Sequence, residues 1–88
     1  MTVRIEVFAA PGCGKCAAAR DELRAIAFAV LGEANVAWRE VDVFEEIEYA
    51  VSLGVLGMPA IAVNGELKFP SLPAAGAFRR LLAALEVP

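Results

Sequence analysis

Cysteine occurs at only two positions in this 88-residue chain, and both lie where the alternating pattern of a strand changes to the spacing of a helix. Thr2–Phe8 alternates and is rich in β-branched residues, which predicts a strand. From Cys13 to Leu31 apolar residues recur at helical spacing and alanine is frequent, which predicts a helix. Ala9–Gly12 is the loop between them. The sequence therefore predicts that Cys13 and Cys16 lie one helical turn apart at the amino end of the first helix.

The motif Cys13-Gly14-Lys15-Cys16 places two thiols close enough to close a small, reversible disulfide. Free backbone N–H groups and the helix dipole at this end of a helix lower the pKa of one thiol. The other thiol then stands beside it as a resolving group. The pattern is typical of dithiol–disulfide exchange.

Composition argues against several other classes of protein. Apolar residues are 59% of the chain, above the roughly 45–50% that is usual, so we expect one domain over residues 1–88 with a dense core. The net charge is −3 and the only adjacent cations are Arg79 and Arg80, so we expect no nucleic-acid partner. The longest uncharged stretch, Tyr49–Gly65, contains Pro59 and several glycines, so we expect no membrane helix.

The remaining pattern predicts an α/β fold. Further strands are expected at Val36–Val41, Ala60–Val63 and Glu66–Phe69, and further helices at Phe44–Leu53 and Ala74–Leu85. Asp42 or a near neighbour is the expected cap of the short helix, and Asn64-Gly65 supplies the positive φ angles of a tight hairpin turn. The order is β-α-β-α-β-β-α. A right-handed crossover makes the first two strands parallel and the hairpin adds antiparallel strands, which predicts a four-stranded mixed sheet with helices on both faces.

Two motifs together carry a family resemblance. Cys13-Gly14-Lys15-Cys16 after the first strand and Gly57-Met58-Pro59 before the third resemble the thioredoxin-like superfamily in its minimal, glutaredoxin-like size. The chain is most similar to the small bacterial and archaeal thioredoxin-like redox-disulfide proteins, over nearly its whole length. The resemblance implies a minimal thioredoxin fold and thiol–disulfide oxidoreductase activity on protein disulfides. It also implies that the Cys13–Cys16 disulfide is the redox group and that there is no separate cofactor.

Within this resemblance the two cysteines take different roles. Cys13, at or just before the first helical turn, is the expected nucleophile, and the more buried Cys16 is the expected resolving thiol. Gly14 leaves the first turn open to a substrate. Lys15 adds a positive charge, so both intervening residues are expected to tune the pair.

The resemblance also implies a substrate surface. Met58 and Pro59 are expected to be joined by a cis peptide bond beside the disulfide, with the Met58 backbone free to pair with an extended substrate segment. Pro11 and Gly12 are expected to contact the substrate from the cysteine loop. An apolar rim around Cys13 is expected from Phe8, Ala10, Pro11, Met58 and Leu72.

The chain departs from the family at two places. Thioredoxins carry a buried aspartate six residues before the nucleophile, where this chain has Val7. Glu6 is adjacent but points to the other face of the strand, so no base is assigned to Cys16. Glutaredoxins bind glutathione with a Gly-Gly-x-Asp type of segment after the hairpin, where this chain has Phe69–Pro73. We therefore expect protein disulfides rather than glutathione as substrates, with electrons from an unidentified reductase.

Two alternatives stay open at this point. A Cys-x-x-Cys module can bind Cu(I) or Zn, although copper chaperones usually have Met where this chain has Pro11 and follow β-α-β-β-α-β order. A closed zinc site would need carboxylates or a second subunit, because the chain has no histidine. The other alternative is a non-catalytic redox sensor.

Location and partner selection are predicted from the first residues and from an acidic segment. The first residues show no charged segment followed by a long apolar one, so we expect no export signal and a cytoplasmic protein. We also expect a monomer. Five acidic residues lie between Glu40 and Glu48. They predict a solvated face or a surface that discriminates among protein partners.

Overall fold

The computed structural model describes residues 2–85. Met1 and residues 86–88, which the single-domain prediction includes, lie outside the described residues. The strands are β1 (Val3–Ala9), β2 (Val36–Asp42), β3 (Ala60–Val63) and β4 (Glu66–Phe69), and the helices are α1 (Gly14–Leu31), α2 (Ile47–Leu53) and α3 (Ala75–Ala83), with one 3₁₀ turn at Glu33–Asn35. The order β-α-β-α-β-β-α is the predicted one.

The four strands form one sheet in the order β2-β1-β3-β4. β1 runs parallel to β2, with Val3 opposite Val36 and Ala9 opposite Asp42. β3 runs antiparallel to both β1 and β4. The predicted mixed sheet is confirmed. Because β1 has a strand on either side, the loop that follows it, which carries the cysteines, starts from the interior of the sheet.

The helices cover both faces of this sheet, as predicted. Ile5 and Val7 of β1 pack with α1 and α3, whereas Phe8 packs on the face covered by α2, because side chains alternate along a strand. Phe78 of α3 is completely buried, and its ring meets that of Phe69 edge-on with centroids 5.9 Å apart. Because side chains on both faces of β1 are buried, the carboxyl end of β1, which leads through the cysteine loop into α1, is held in place.

The hairpin turn is tied to the start of β1. Asn64 and Gly65 have φ angles of 52° and 84°, the left-handed values that a two-residue turn requires. The backbone N–H of Arg4 donates to Asn64 Oδ1 at 2.9 Å, and the backbone N–H of Asn64 donates to the Arg4 carbonyl at 2.8 Å. The turn therefore contributes to the register of β3 on β1 as well as joining β3 to β4.

The second helix begins later than predicted, at Ile47 rather than Phe44. Asp42 Oδ1 accepts from the backbone N–H groups of Phe44 at 2.8 Å and Glu45 at 3.3 Å. The aspartate therefore closes the turn before the helix and does not cap the helix, since such side chains compete with helical bonding. The last helix, Ala75–Ala83, is also shorter than the predicted Ala74–Leu85.

Glu6 is buried on the α2 face of β1, the face that the strand periodicity predicts. Its carboxylate accepts hydrogen bonds from the hydroxyl of Tyr49 and from Arg39 Nε, the latter at 3.2 Å. Arg39 also lies over the Tyr49 ring, 5.7 Å from its centroid, and binds Glu46 at 2.8 Å. This network joins α2 to the sheet and satisfies the buried charge.

We expect Tyr49 to ionise at a higher pH in the folded protein than in the unfolded chain. The hydrogen bond to Glu6, and secondly burial, raise the pKa of Tyr49 above its ordinary value of 10.0. The stability that this bond contributes is therefore complete below about pH 10 and is lost as pH rises through the folded-state pKa. Tyr49 is the only tyrosine, so its phenolate absorbance gives the midpoint directly. Equal midpoints for the native protein and for protein in denaturant would contradict this expectation.

Candidate active site

The two sulfurs lie at the start of α1 and are joined. Cys13 is the N-cap residue of α1, and Cys16 lies in the first turn. The S–S distance is 2.06 Å and the Cα atoms are 5.3 Å apart. Cys13 is partly exposed, whereas Cys16 is only 3% exposed. A molecule that approaches from solvent therefore meets the sulfur of Cys13 first.

The loop before Cys13 is shaped by glycine and leaves the sulfur open. Gly12 has a φ of +84°, which favours glycine over any other residue. A Cβ atom added at Gly12 or at Gly14 would meet no atom within 4 Å. Pro11, Gly12, Gly14 and Lys15 are all exposed. The space over the first turn of α1 is therefore open.

Met58 and Pro59 lie at the same end of the sheet as the cysteine loop. Ala60, the first residue of β3, pairs with Phe8 near the end of β1. The Met58–Pro59 peptide bond is cis. Pro59 is buried, whereas the Met58 side chain is 36% exposed.

The predicted apolar rim around Cys13 is wrong at Phe8. This side chain is completely buried in the α2-side core, because its position on β1 faces away from α1. Exposed apolar side chains instead lie along α2 and on both sides of it: Phe44, in the turn before the helix, is 68% exposed, and Leu56, in the loop after it, is 98% exposed. We call this set of side chains the α2 apolar strip; it consists of Phe44, Ile47, Val51, Leu56 and Met58. Ile47, Leu56 and Met58 line one shallow depression, and Ile47 and Val51 line another.

A pocket of about 230 Å³ opens beside the disulfide. Its walls come from β1, the cysteine loop, the first two turns of α1, and β2; the lining residues are Val7, Ala9, Ala10, Gly12, Cys13, Cys16, Ala17, Arg20 and Glu40. Val7 is opposite Glu40 in the parallel register. Arg20 Nη1 lies 3.3 Å from Glu40 Oε1. The hydrogen bond to Asp21, and secondly the charge of Glu40, raise the pKa of Arg20, so a fixed cation and a carboxylate share this pocket with the cysteines.

The family of this chain follows from its similarity to known proteins. The model of the thioredoxin domain matches residues 3–83. The chain belongs to the thioredoxin family. The predicted resemblance and fold are thereby confirmed, and the chain is a thiol–disulfide oxidoreductase.

Named thioredoxins are similar to this chain over most of its length. A probable thioredoxin of Methanothermobacter marburgensis is 32% identical over 79 aligned positions, and the match covers 83% of this chain and 84% of the relative. A thioredoxin of Methanocaldococcus jannaschii is 30% identical over 71 residues, 81% of each chain. Among solved structures, a mutant thioredoxin from Halobacterium salinarum NRC-1 superposes with a TM-score of 0.66 at 25% identity, covering 98% of this chain and 78% of that one.

The metal-binding alternative can be compared with the structure of this thioredoxin-family chain on two points. Within residues 2–85, no three side chains among His, Cys, Asp and Glu come together as metal ligands. The observed order of elements also differs from the β-α-β-β-α-β order of copper chaperones.

No helix in the described part of the chain is both long enough and apolar enough to cross a bilayer.

Sequence analysis did not identify Arg20 and Glu40 as part of this thioredoxin-family site. The positions of both residues near the cysteines can be obtained by counting along β2 and α1 once the fold is assigned. Val3 opposite Val36 places the fifth residue of β2, Glu40, against the fifth of β1. Arg20 lies four residues after Cys16 on the same helix face.

Proposed function

We propose that this thioredoxin-family protein is a cytoplasmic, monomeric reductant of protein disulfides that receives its electrons from a separate reductase. The observation that carries the proposal is the unequal burial of the two sulfurs. Cys13 is partly exposed at the amino end of α1, and Cys16 is buried behind it. A bulky disulfide can reach only the first of them, so Cys13 is the nucleophile and Cys16 resolves the adduct.

The first step is attack by Cys13 on the substrate. In the reduced protein the amino end of α1 favours the Cys13 thiolate, which attacks one sulfur of the substrate disulfide. A Cys13–substrate bond forms, the substrate S–S bond breaks, and the departing substrate sulfur takes the electron pair. Lys15 adds a positive charge near the thiolate, and its effect is modest because the side chain is exposed to solvent.

Three features favour protein segments over glutathione as substrates. The Met58 backbone lies just before β3, where an extended segment can pair with it, and we expect Pro11 and Gly12 of the cysteine loop to contact the same segment. The α2 apolar strip continues from Met58 and provides apolar contact area for a protein partner. The segment Pro70–Pro73 has no acidic residue with which to bind glutathione.

We expect the protein to reduce the disulfides of insulin with a kcat/KM at least about tenfold above that for oxidised glutathione. Leu56→Asp should lower the value for insulin about five- to tenfold, because it removes an exposed apolar contact. It should leave stability nearly unchanged, since Leu56 is 98% exposed. Ser52→Asp is the matched control, because it adds the same charge nearby without removing apolar surface.

Both reactions are followed with dithiothreitol as electron donor. Faster reduction of glutathione than of insulin would contradict the substrate class. Equal kcat/KM values for Leu56→Asp and Ser52→Asp would contradict the docking role of the strip.

A further inference from the structure

We propose that Glu40 accepts the proton of Cys16 when the mixed disulfide is resolved, so that a carboxylate on β2 takes the place of the one that β1 lacks at Val7. Glu40 would act in the second half of the exchange described above, so this proposal rests on the proposed function.

The geometry places Glu40 and Cys16 on the walls of one pocket. Val7 and Glu40 are partners in the parallel register of β1 and β2, and both side chains face α1. Cys16 is almost completely buried, so the pocket is its route to an acceptor. The volume of about 230 Å³ has room for several water molecules at about 30 Å³ each. A proton can therefore pass from the sulfur to the carboxylate through water.

Two arginines of α1 hold the Glu40 carboxylate in place. Arg20 Nη1 lies 3.3 Å from Oε1 and Arg24 Nη1 lies 3.9 Å from Oε2. Asp21 binds the same two arginines, at 3.2 and 3.9 Å, but its side chain is 64% exposed and it does not line the pocket. The arginines thus fix one carboxylate inside the pocket and one outside it, which provides a matched pair for experiment.

The other acidic groups near this end of the sheet are engaged elsewhere. Glu6 lies on the opposite face of β1, bound to Tyr49 and Arg39. Asp42, at the end of β2, accepts from the backbone of Phe44. Among the acidic residues of 2–85, Glu40 is the one that lines the pocket with the cysteines.

A proton acceptor matters because the resolving step needs a thiolate. A free cysteine thiol has a pKa of about 8.5, so only a few per cent is ionised at neutral pH, and burial lowers that fraction further. In the step proposed, the Cys16 proton passes through water to Glu40 and the Cys16 thiolate attacks Cys13. The Cys13–Cys16 bond forms as the Cys13–substrate bond breaks. The electron pair leaves with the substrate sulfur, which is then protonated from solvent. The protein is oxidised by two electrons and the substrate disulfide is reduced by two.

The test separates the two attacks in one experiment. Reduced protein is mixed with 5,5′-dithiobis(2-nitrobenzoate), which releases one coloured thiolate when Cys13 attacks and a second when Cys16 resolves the adduct. In Glu40→Gln we expect an unchanged first phase and a second phase slowed by about tenfold or more near pH 7. The difference should shrink towards about pH 9, where hydroxide deprotonates the thiol directly. Asp21→Asn, which makes the same charge change beside the same arginines, should leave both phases as in wild type.

Three outcomes would overturn this assignment. They are a second phase in Glu40→Gln equal to that of wild type, a slowing by the same factor at every pH, and an equal slowing in Asp21→Asn. A wild-type protein that shows no second phase would instead contradict the proposed function, so the two failures are distinguishable. Glu40 is 44% exposed, and glutamine keeps its shape, so the variant should fold normally.

Discussion

Cys13→Ser is expected to abolish disulfide exchange, with turnover falling by at least about a thousandfold. The hydroxyl that replaces the thiol is not ionised near neutral pH and cannot form the bond to a substrate sulfur. Because Cys16 is only 3% exposed, it does not take over the attack. The measurement is insulin reduction with dithiothreitol as electron donor.

Cys16→Ser is expected to stop turnover at a later stage. Cys13 remains partly exposed at the start of α1 and still attacks. No second thiol is then present to release the substrate, so the mixed disulfide accumulates. The two variants are matched controls for each other, because each loses one sulfur from the same turn. Cys13→Ser should unfold at the same denaturant concentration as the reduced wild-type protein, and Cys16→Ser at a somewhat lower one, because it buries a hydroxyl in place of a thiol.

The second large effect is expected in the core. Phe78→Ala should lower the free energy of unfolding by about 3–5 kcal/mol. The ring is completely buried between α3, α1 and the sheet and packs edge-on against Phe69. Domains have a stability of about 0.05–0.15 kcal/mol per residue, so this loss is a large share of what an 88-residue chain has. Urea unfolding followed by far-ultraviolet circular dichroism measures the change.

Phe44→Ala is the control for this prediction. It removes the same ring from the α2 apolar strip, where 68% of the residue is exposed, so the change should stay within about 0.5 kcal/mol. Equal losses of unfolding free energy in the two variants would contradict the placement of Phe78 in the core and of Phe44 on the surface.

The topology was predictable because its signals are local. Alternation over Thr2–Phe8, helical spacing over Cys13–Leu31 and the Asn64-Gly65 turn each specify one element without reference to the others. Once the elements are in order, the handedness of crossovers leaves few arrangements for the sheet. The order of the elements along the chain and the directions of the strands therefore followed from the sequence, whereas the sheet order β2-β1-β3-β4 was learned from the structure.

The exposure of individual apolar residues was less predictable. Phe8, Phe44 and Phe78 are the same residue type, yet two are buried and one is exposed. What separates them is which element covers each one, and that depends on packing between distant segments. The start of α2 was mislocated for a similar reason, because Asp42 can cap either a turn or a helix and its neighbours decide between them.

The candidate site was predictable in the same uneven way. Cys13 and Cys16 are neighbours in sequence, so their spacing alone indicates their chemistry. Glu40 lies 24 positions after Cys16, within an acidic segment whose composition indicates solvent. Only the register of β2 on β1 brings it into the pocket beside Cys16.

The most direct test of the central claim is the intact mass of the two cysteine variants after incubation with a disulfide-containing protein. The account predicts a covalent adduct with Cys16→Ser, released by dithiothreitol, and none with Cys13→Ser. An adduct that forms equally well with Cys13→Ser, or with neither variant, would contradict the assignment of Cys13 as the attacking sulfur.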